Sequence, residues 1–532
     1  MAYVVVSAIG GKGINLKICV AISSLVVSTI FVAGNAFADA SGYDALAARL
    51  GLTTPTGAGI GIVQVESPVT PGGTDYAPDV TLAEFAGKTL TRVNTYSTSS
   101  HANYVSTWLY GANSSMAKGV TNAWVYNVNN WINENLKINS TLPIAQPNSS
   151  VRVQNNSWLG SFGLGNEVYD REAVRRMDYI MYRDGVLAVN GENNGAGSAR
   201  YPMMGDCFNG LSVGRLDLQH SAGVTAAASD TPGRMKPDII ASGQATSYST
   251  PVVGSAAALL FQEAQSSGSL AAGLSAMARA QLVKTALLAG ATRDASWSNQ
   301  APQSGAQRGI TAKPLDPVRG SGALNIDNAH KIISLERNNG ASSAAAATRC
   351  GANGFGSFTM SASQNLYWRF RVNQTTPSLD FVVSWPRVVT TSLTYTLANI
   401  DLKVYRGLVD ATTLIPLQGD AGSAFVGSGN VWSQSTVDNV EIIHMNNVVP
   451  GEYVVELARV DAVAGTVQVS VGWQVDPAGF GRLGDFDNSG FVDSADLGRL
   501  LGAIGTDDPT CDVNLDGKVD SADIGTVLGN FG

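Results

Sequence analysis

Residues 59–67 read Gly59-Ile60-Gly61-Ile62-Val63-Gln64-Val65-Glu66-Ser67, an apolar, β-branched run that ends in a carboxylate. A short apolar run bounded by glycine is the pattern of a strand covered on both faces, which is how strands of parallel sheets read. A second such run spans 185–189, and segments 171–182, 251–264 and 274–288 carry helical spacing. Buried strands alternating with helices predict an α/β domain over residues 41–337, with a mostly parallel sheet and helices on both faces.

The texture changes further along. Residues 338–354 are rich in Ala, Ser and Gly and predict a linker. From 355 to 478 the period becomes two, in stretches such as YWRFRV (367–372), IDLKVY (400–405) and VQVSVGWQV (467–475), the pattern of an all-β sandwich. Residues 481–532 contain a duplication, D-F-D-N-S-G-F-V-D-S-A-D-L from Asp485 matching D-V-N-L-D-G-K-V-D-S-A-D-I from Asp512.

Of the 532 residues only 14% are charged, 44% are hydrophobic and 58 are Gly, with a formal net charge of −8. The hydrophobic share excludes a disordered chain, and the weak acidic balance excludes nucleic acid as the main partner. At the N-terminus, Lys12 and Lys17 precede an apolar run over 18–33, and Ala36-Phe37-Ala38 offers small residues for a signal peptidase. Residues 1–38 are therefore expected to be an export signal cleaved after Ala38. The run is broken by Ser23, Ser24, Ser28 and Thr29 and is shorter than the roughly 20 residues of a membrane span. The expected location is secreted, cell-surface or periplasmic, with no membrane partner once the signal is removed. Cys207, Cys350 and Cys511 remain, allowing at most one disulfide, and no C-x-x-C pair suggests zinc.

In each C-terminal copy, oxygen-bearing side chains occupy positions 1, 3, 5, 9 and 12 around a Gly at 6. The first set is Asp485, Asp487, Ser489, Asp493 and Asp496, with the carbonyl of Phe491 at position 7; the second is Asp512, Asn514, Asp516, Asp520 and Asp523, with that of Lys518. Hard cations such as calcium take six to eight oxygens, and a loop converges them by turning sharply at its sixth residue. Two calcium ions are the expected cofactors. A loop followed by a helix-like segment, duplicated, resembles the dockerin family of calcium-binding modules, and the resemblance implies a cohesin-like docking partner.

Three further segments belong together: Glu66 at its strand end, Ser100-His101-Ala102-Asn103-Tyr104-Val105 opening a helix, and Ala245-Thr246-Ser247-Tyr248-Ser249-Thr250-Pro251 before an Ala-rich helix. A Ser hydroxyl becomes nucleophilic when an imidazole takes its proton, and a carboxylate orients that imidazole. These segments resemble the subtilisin-like serine peptidases. The family pattern G-T-S-M-A-T-P-x-V-A-G aligns with 245–255 and places Ser247 on the nucleophile. The family pattern H-G-T-H-V-A-G places His101 on the base, and Lys236-Pro237-Asp238 matches the family's K-P-D. Ser157, Trp158, Leu159 and Gly160 resemble the strand that lines the family's substrate cleft. Val189-Asn190-Gly191-Glu192-Asn193-Asn194-Gly195 follows the strand that carries the family's oxyanion donor; counting back from Gly195 gives Asn193, counting forward from Gly191 gives Glu192, and an acid there would repel an oxyanion. Glu66 replaces the family's Asp. The resemblance implies a serine endopeptidase acting on polypeptides through Ser247, His101 and Glu66, without a cofactor in catalysis. The alternative is an inactive binding or structural protein on the same fold with a calcium-binding tail.

Overall fold

The computed structural model describes residues 2–7, 15–20, 40–407, 413–420, 428–487 and 489–532. The expected cleavage site at Ala36–Ala38 and most of the apolar run before it lie outside the described residues. No helix among those described is long and apolar enough to cross a membrane.

The chain forms two compact units, and their bounds differ from the expected domains. The first comprises 1–297, 315–334 and 384–397; the second comprises 298–314, 335–383 and 398–532. The expected linker 338–354 is tied to strands through the bridges Ala341↔Tyr367 and Arg349↔Arg369. Its small residues fit close backbone pairing as well as they fit a flexible spacer.

The first unit is built on a seven-stranded sheet: β1 (Gly61–Glu66), β2 (Thr89–Arg92), β3 (Asn122–Asn127), β4 (Val151–Asn156), β5 (Leu187–Gly191), β6 (Leu211–Arg215) and β7 (Ile239–Ala241), in the order β7-β6-β5-β4-β1-β3-β2. Every neighbouring pair is parallel. All six residues of β1 are buried, as the run at 59–67 predicts. Helices α1 (Ser100–Tyr110), α2 (Glu167–Asp184), α3 (Thr246–Gln265) and α4 (Ala276–Ala289) accompany the sheet. The central α3 is buried along almost its whole length. Gly254 permits its close approach to α1, since a Cβ there would lie 2.7 Å from Leu109 Cδ1.

Segment 384–397 joins this unit through a charge buried without solvent access. Arg387 is fully buried; its Nε donates to Asp178 at 2.7 Å and its Nη1 to Asp230 at 2.8 Å. Asn209 accepts from the Arg387 N–H and donates to its carbonyl, and the guanidinium lies 4.3 Å from the Phe208 ring centroid. Burial pushes the Asp230 carboxyl up, but the guanidiniums of Arg175 and Arg387 outweigh it and hold the group below its usual range.

The second unit contains largely antiparallel sheets, as expected for 355–478, with one added parallel pair between Ile310–Thr311 and Trp432–Ser433. One runs Ile310–Thr311, Trp432–Ser433, β11 (Ile400–Gly407), β13 (Gly451–Arg459) and β9 (Asn365–Val372); the other runs β8 (Asn353–Ser361), β14 (Thr466–Val475), β10 (Thr376–Ser384), β12 (Val440–Val448) and Ser428–Asn430. Burial alternates along β9, and Trp368, Phe370, Phe381 and Trp473 meet in the core. The C-terminal repeat belongs to this same unit. Its helices α5 (Ser494–Ala503) and α6 (Ser521–Gly529) each begin with a capping box, Asp493 with Asp496 and Asp520 with Asp523. Cys207, Cys350 and Cys511 are buried free thiols.

Replacing Arg387 by Met leaves two buried carboxylates without their shared cation, which costs about 3–5 kcal/mol in chemical unfolding of the full chain. Because Asp230 is held below its unfolded value, its contribution is present above about pH 4 and fades as pH falls through its folded value. Arg175 stays paired with Asp230 at both oxygens, so the variant is expected to lose only the share of the acid-side stability slope that Arg387 gives Asp230.

Candidate active site

In an open parallel sheet, ligand crevices form outside the carboxyl ends of the strands. Glu66 is the last residue of β1 and its side chain is fully buried. Its Oε2 lies 2.8 Å from His101 Nδ1, and its Oε1 accepts from Gln64 Nε2 at 3.0 Å. Gln64 Oε1 in turn accepts from the Ser106 hydroxyl at 2.9 Å and from the Tyr110 hydroxyl at 2.6 Å. The spacing explains the network: Gln64 and Glu66 share one face of a strand, and Ser106 and Tyr110 share one face of α1. Burial pushes the Tyr110 phenol well up, with Glu66 adding to it, so that hydroxyl remains a donor.

The opening turn of α1 fixes His101. Ser99 caps the helix, its Oγ accepting from the Ala102 N–H at 3.1 Å. A carboxylate can only accept, so contact with Glu66 places the imidazole proton on Nδ1 and leaves Nε2 as the basic nitrogen. Among the described residues Nε2 has no hydrogen-bond partner, the Ser247 hydroxyl included.

Ser247 is the second residue of α3, which packs against α1. Pro251 lies four residues on and has no N–H, so the Ser247 carbonyl loses its helical donor. The Ser157 hydroxyl fills that place, donating to the Ser247 carbonyl at 3.0 Å. The ring of Tyr248 lies 6.2 Å from that of His101 and 5.3 Å from that of Tyr104. Burial raises the Tyr248 phenol, and Tyr104 and Glu66 raise it further.

The residues after β5 take separate roles. Glu192 is buried, paired with Arg200 at 2.8 Å, and accepts from the Ser221 hydroxyl at 3.0 Å. The Asn193 amide donates to the Ala199 carbonyl at 3.0 Å. Asn194 is the one that meets the Ser247 segment, its Oδ1 accepting from the Thr246 N–H at 2.9 Å. Sequence counting passed over Asn194; only its contact with the turn before Ser247 distinguishes it from its neighbour. Gln64 was equally unmarked, a polar residue inside an apolar strand.

The expected cleft residues divide as well. Ser157 reaches Ser247, whereas Trp158 and Leu159 are 1% exposed, with Trp158 packed edge-on against Trp131. Gly160 bridges Met203 through paired backbone hydrogen bonds. A cavity of about 470 Å³ adjoins the strand Leu159–Ser161, lined by Ser161, Leu164, Val174, Ala199, Tyr201 and Pro202 among others.

In the C-terminal repeat, Asp485, Asp487 and Asp496 bring carboxylate oxygens within 4.8 Å of one another. Asp485 accepts from the N–H groups of Ser489 and Gly490, and Asp496 from those of Phe486 and Asp493. The second loop repeats this pattern, Asp512 with Asp516 and Gly517, and Asp523 with Asn514 and Asp520. Position 12 thus ties both ends of its loop despite being Asp. Asp493 and Asp520 cap the helices, and their first oxygens accept from Ala495 and Ala522. Ser489 donates to the Phe491 carbonyl, while Asp516 accepts from the Lys518 N–H. An all-oxygen donor set of this kind suits a hard divalent cation.

No family model matches the chain, and no curated protein matches it. Similar solved structures are proteases. The MycP3 protease of the type VII (ESX-3) secretion system is 15% identical over 56% of this chain and 88% of its own, with a TM-score of 0.30. Fervidolysin from Fervidobacterium pennivorans, a keratinolytic enzyme related to subtilisin, is 11% identical over 79% of this chain and 60% of its own, with a TM-score of 0.34. A protease from Pseudoalteromonas arctica is 14% identical over 52% and 90%, with a TM-score of 0.29.

Ser157→Ala strands the buried Ser247 carbonyl and is expected to cost about 1–3 kcal/mol in urea unfolding. Adding Pro251→Ala restores a helical N–H to that carbonyl, so the double variant should recover part of the loss. An unchanged or larger loss in the double variant would show that the Ser157 hydroxyl has a different role.

Proposed function

We propose that the chain is a serine peptidase of the subtilisin-like kind, with Ser247 as nucleophile, His101 as base and Glu66 as the carboxylate that orients it. The observation that carries this proposal is the 2.8 Å contact between the buried Glu66 and His101 Nδ1, which leaves Nε2 basic and unpartnered at the N-terminus of the helix packed on that of Ser247. Ser247 attacks the carbonyl carbon of the scissile peptide while Nε2 takes its proton, and the imidazolium that forms is stabilised by Glu66. The imidazolium then passes that proton to the leaving amine, and water hydrolyses the acyl-enzyme by the same route in reverse. Gln64 holds the second carboxylate oxygen.

The developing oxyanion is assigned to the Ser247 N–H and to Asn194 in place of Asn193. Asn194 turns its Oδ1 onto the Thr246 N–H, which leaves its amide nitrogen as the free end. Asn193 spends its amide on Ala199. The 470 Å³ cavity beside Leu159–Ser161 supports a role in holding a substrate side chain.

The C-terminal repeat is proposed to bind two calcium ions through Asp485, Asp487, Ser489, Phe491, Asp493 and Asp496, and through Asp512, Asn514, Asp516, Lys518, Asp520 and Asp523. Exposed apolar residues on that module, including Phe491, Leu501, Ile504 and Leu528, suit a docking partner. Export to the cell exterior fits the charged and apolar pattern of the first 38 residues.

A fluorophosphonate probe should label the full chain at neutral to alkaline pH and fail to label Ser247→Ala. If wild-type protein is not labelled, the inactive binding protein is the better account. Asn194→Leu should lower kcat by about 10²–10³, the usual cost of one oxyanion donor. Asn193→Leu should not show that loss in kcat, and the reverse result would return the role to Asn193.

A further inference from the structure

The C-terminal repeat is attached to the sandwich at the points where its loops begin. After β9 the chain runs through Asn373, Gln374 and Thr375, and polar groups of this stretch turn onto backbone carbonyls of the repeat and its lead-in. Gln374, 8% exposed, donates from Nε2 to the carbonyl of Asp485, the first residue of the first loop, at 3.1 Å. Arg371, on β9, donates from Nη2 to the carbonyl of Val513, the second residue of the second loop, at 2.6 Å. Asn373 donates from Nδ2 to the Gly481 carbonyl at 3.0 Å and from its backbone N–H to the Gly479 carbonyl at 2.7 Å. The approach at Gly481 admits no side chain, since a Cβ there would lie 2.3 Å from the Gln374 amide. Arg371 is itself steered by Glu452, a fully buried carboxylate that also takes Arg349 and Arg369.

We propose that the two cation loops and the β-sandwich are one cooperative unit, in which Gln374 and Arg371 are positioning residues for the first carboxylate of each loop, Asp485 and Asp512. The inference rests on the calcium assignment above and goes beyond it: a tail free of the sandwich would bind its ions without effect elsewhere. Here the peptide units that carry or follow the position 1 carboxylates are hydrogen-bonded from the sandwich. Partners beyond the direct ligands orient a metal site, and their loss typically weakens metal binding by about 10–100-fold. Linkage makes the effect reciprocal: an ion that binds only the folded unit protects the sandwich as well as the loops.

Two measurements on the full chain test this, both with calcium chloride as the probe. In titration calorimetry, Gln374→Ala, which removes no ligand, should weaken binding at one of two sites by about tenfold or more. In hydrogen exchange, calcium at 100 times its dissociation constant should slow the most protected amides of β9 and β13 about 100-fold per coupled site, as strongly as those of α5 and α6. Calcium binding that slows exchange only within 481–532 would overturn the cooperative unit and leave the calcium assignment standing. Absence of any calcium binding would overturn both. The exchange measurement needs no variant, so a Gln374→Ala chain that fails to fold does not protect the proposal.

Discussion

A carboxylate without access to water has to be satisfied by the protein around it, and Glu66 is the position where that requirement organises the candidate site. One oxygen faces His101 and the other Gln64, and Gln64 is held by two hydroxyls of the helix that carries His101. Strand β1 and helix α1 are therefore joined by a closed set of hydrogen bonds, which determines the tautomer and the direction of the imidazole. Moving any member leaves a buried polar group unpaired, at a cost larger than the bond itself contributes. The Glu66 carboxylate is thus held at both oxygens.

The same constraint recurs away from the site. Asp178 and Asp230 share Arg387, with Arg175 also on Asp230, and Glu452 gathers Arg349, Arg369 and Arg371. Each cluster joins residues far apart in sequence. Arg387 brings segment 384–397 into the first unit, and Glu452 steers the arginine that reaches the C-terminal repeat. Lys236 and Asp238 repeat the pattern as a buried pair at 2.7 Å.

Proline and glycine add the backbone side of the same economy. Pro251 frees the carbonyl of Ser247 and thereby calls for Ser157, so a residue expected on a cleft strand holds the backbone of Ser247. Gly254 lets α3 lie against α1 closely enough to bring the opening turns of both helices to one place. Trp158 and Leu159, from the same stretch, are buried to 1% exposure, Trp158 against Trp131.

Local pattern in the sequence determined the buried strand at 61–66, the helices behind Ser247 and His101, the period-two sandwich and the duplicated loops. These are features written within a few consecutive residues, where periodicity, capping and glycine spacing act. What depended on contacts between distant segments was decided only by the tertiary structure. Gln64 became the second support of Glu66, and Asn194 rather than Asn193 met the turn at Ser247. The stretch at 338–354 bridged to strand β9 at Tyr367 and Arg369, and Arg387 tied its segment to the first unit. The physical reason is common to all of them: a buried polar group needs a partner, and which partner it finds is fixed by which strand ends and helix turns are brought together.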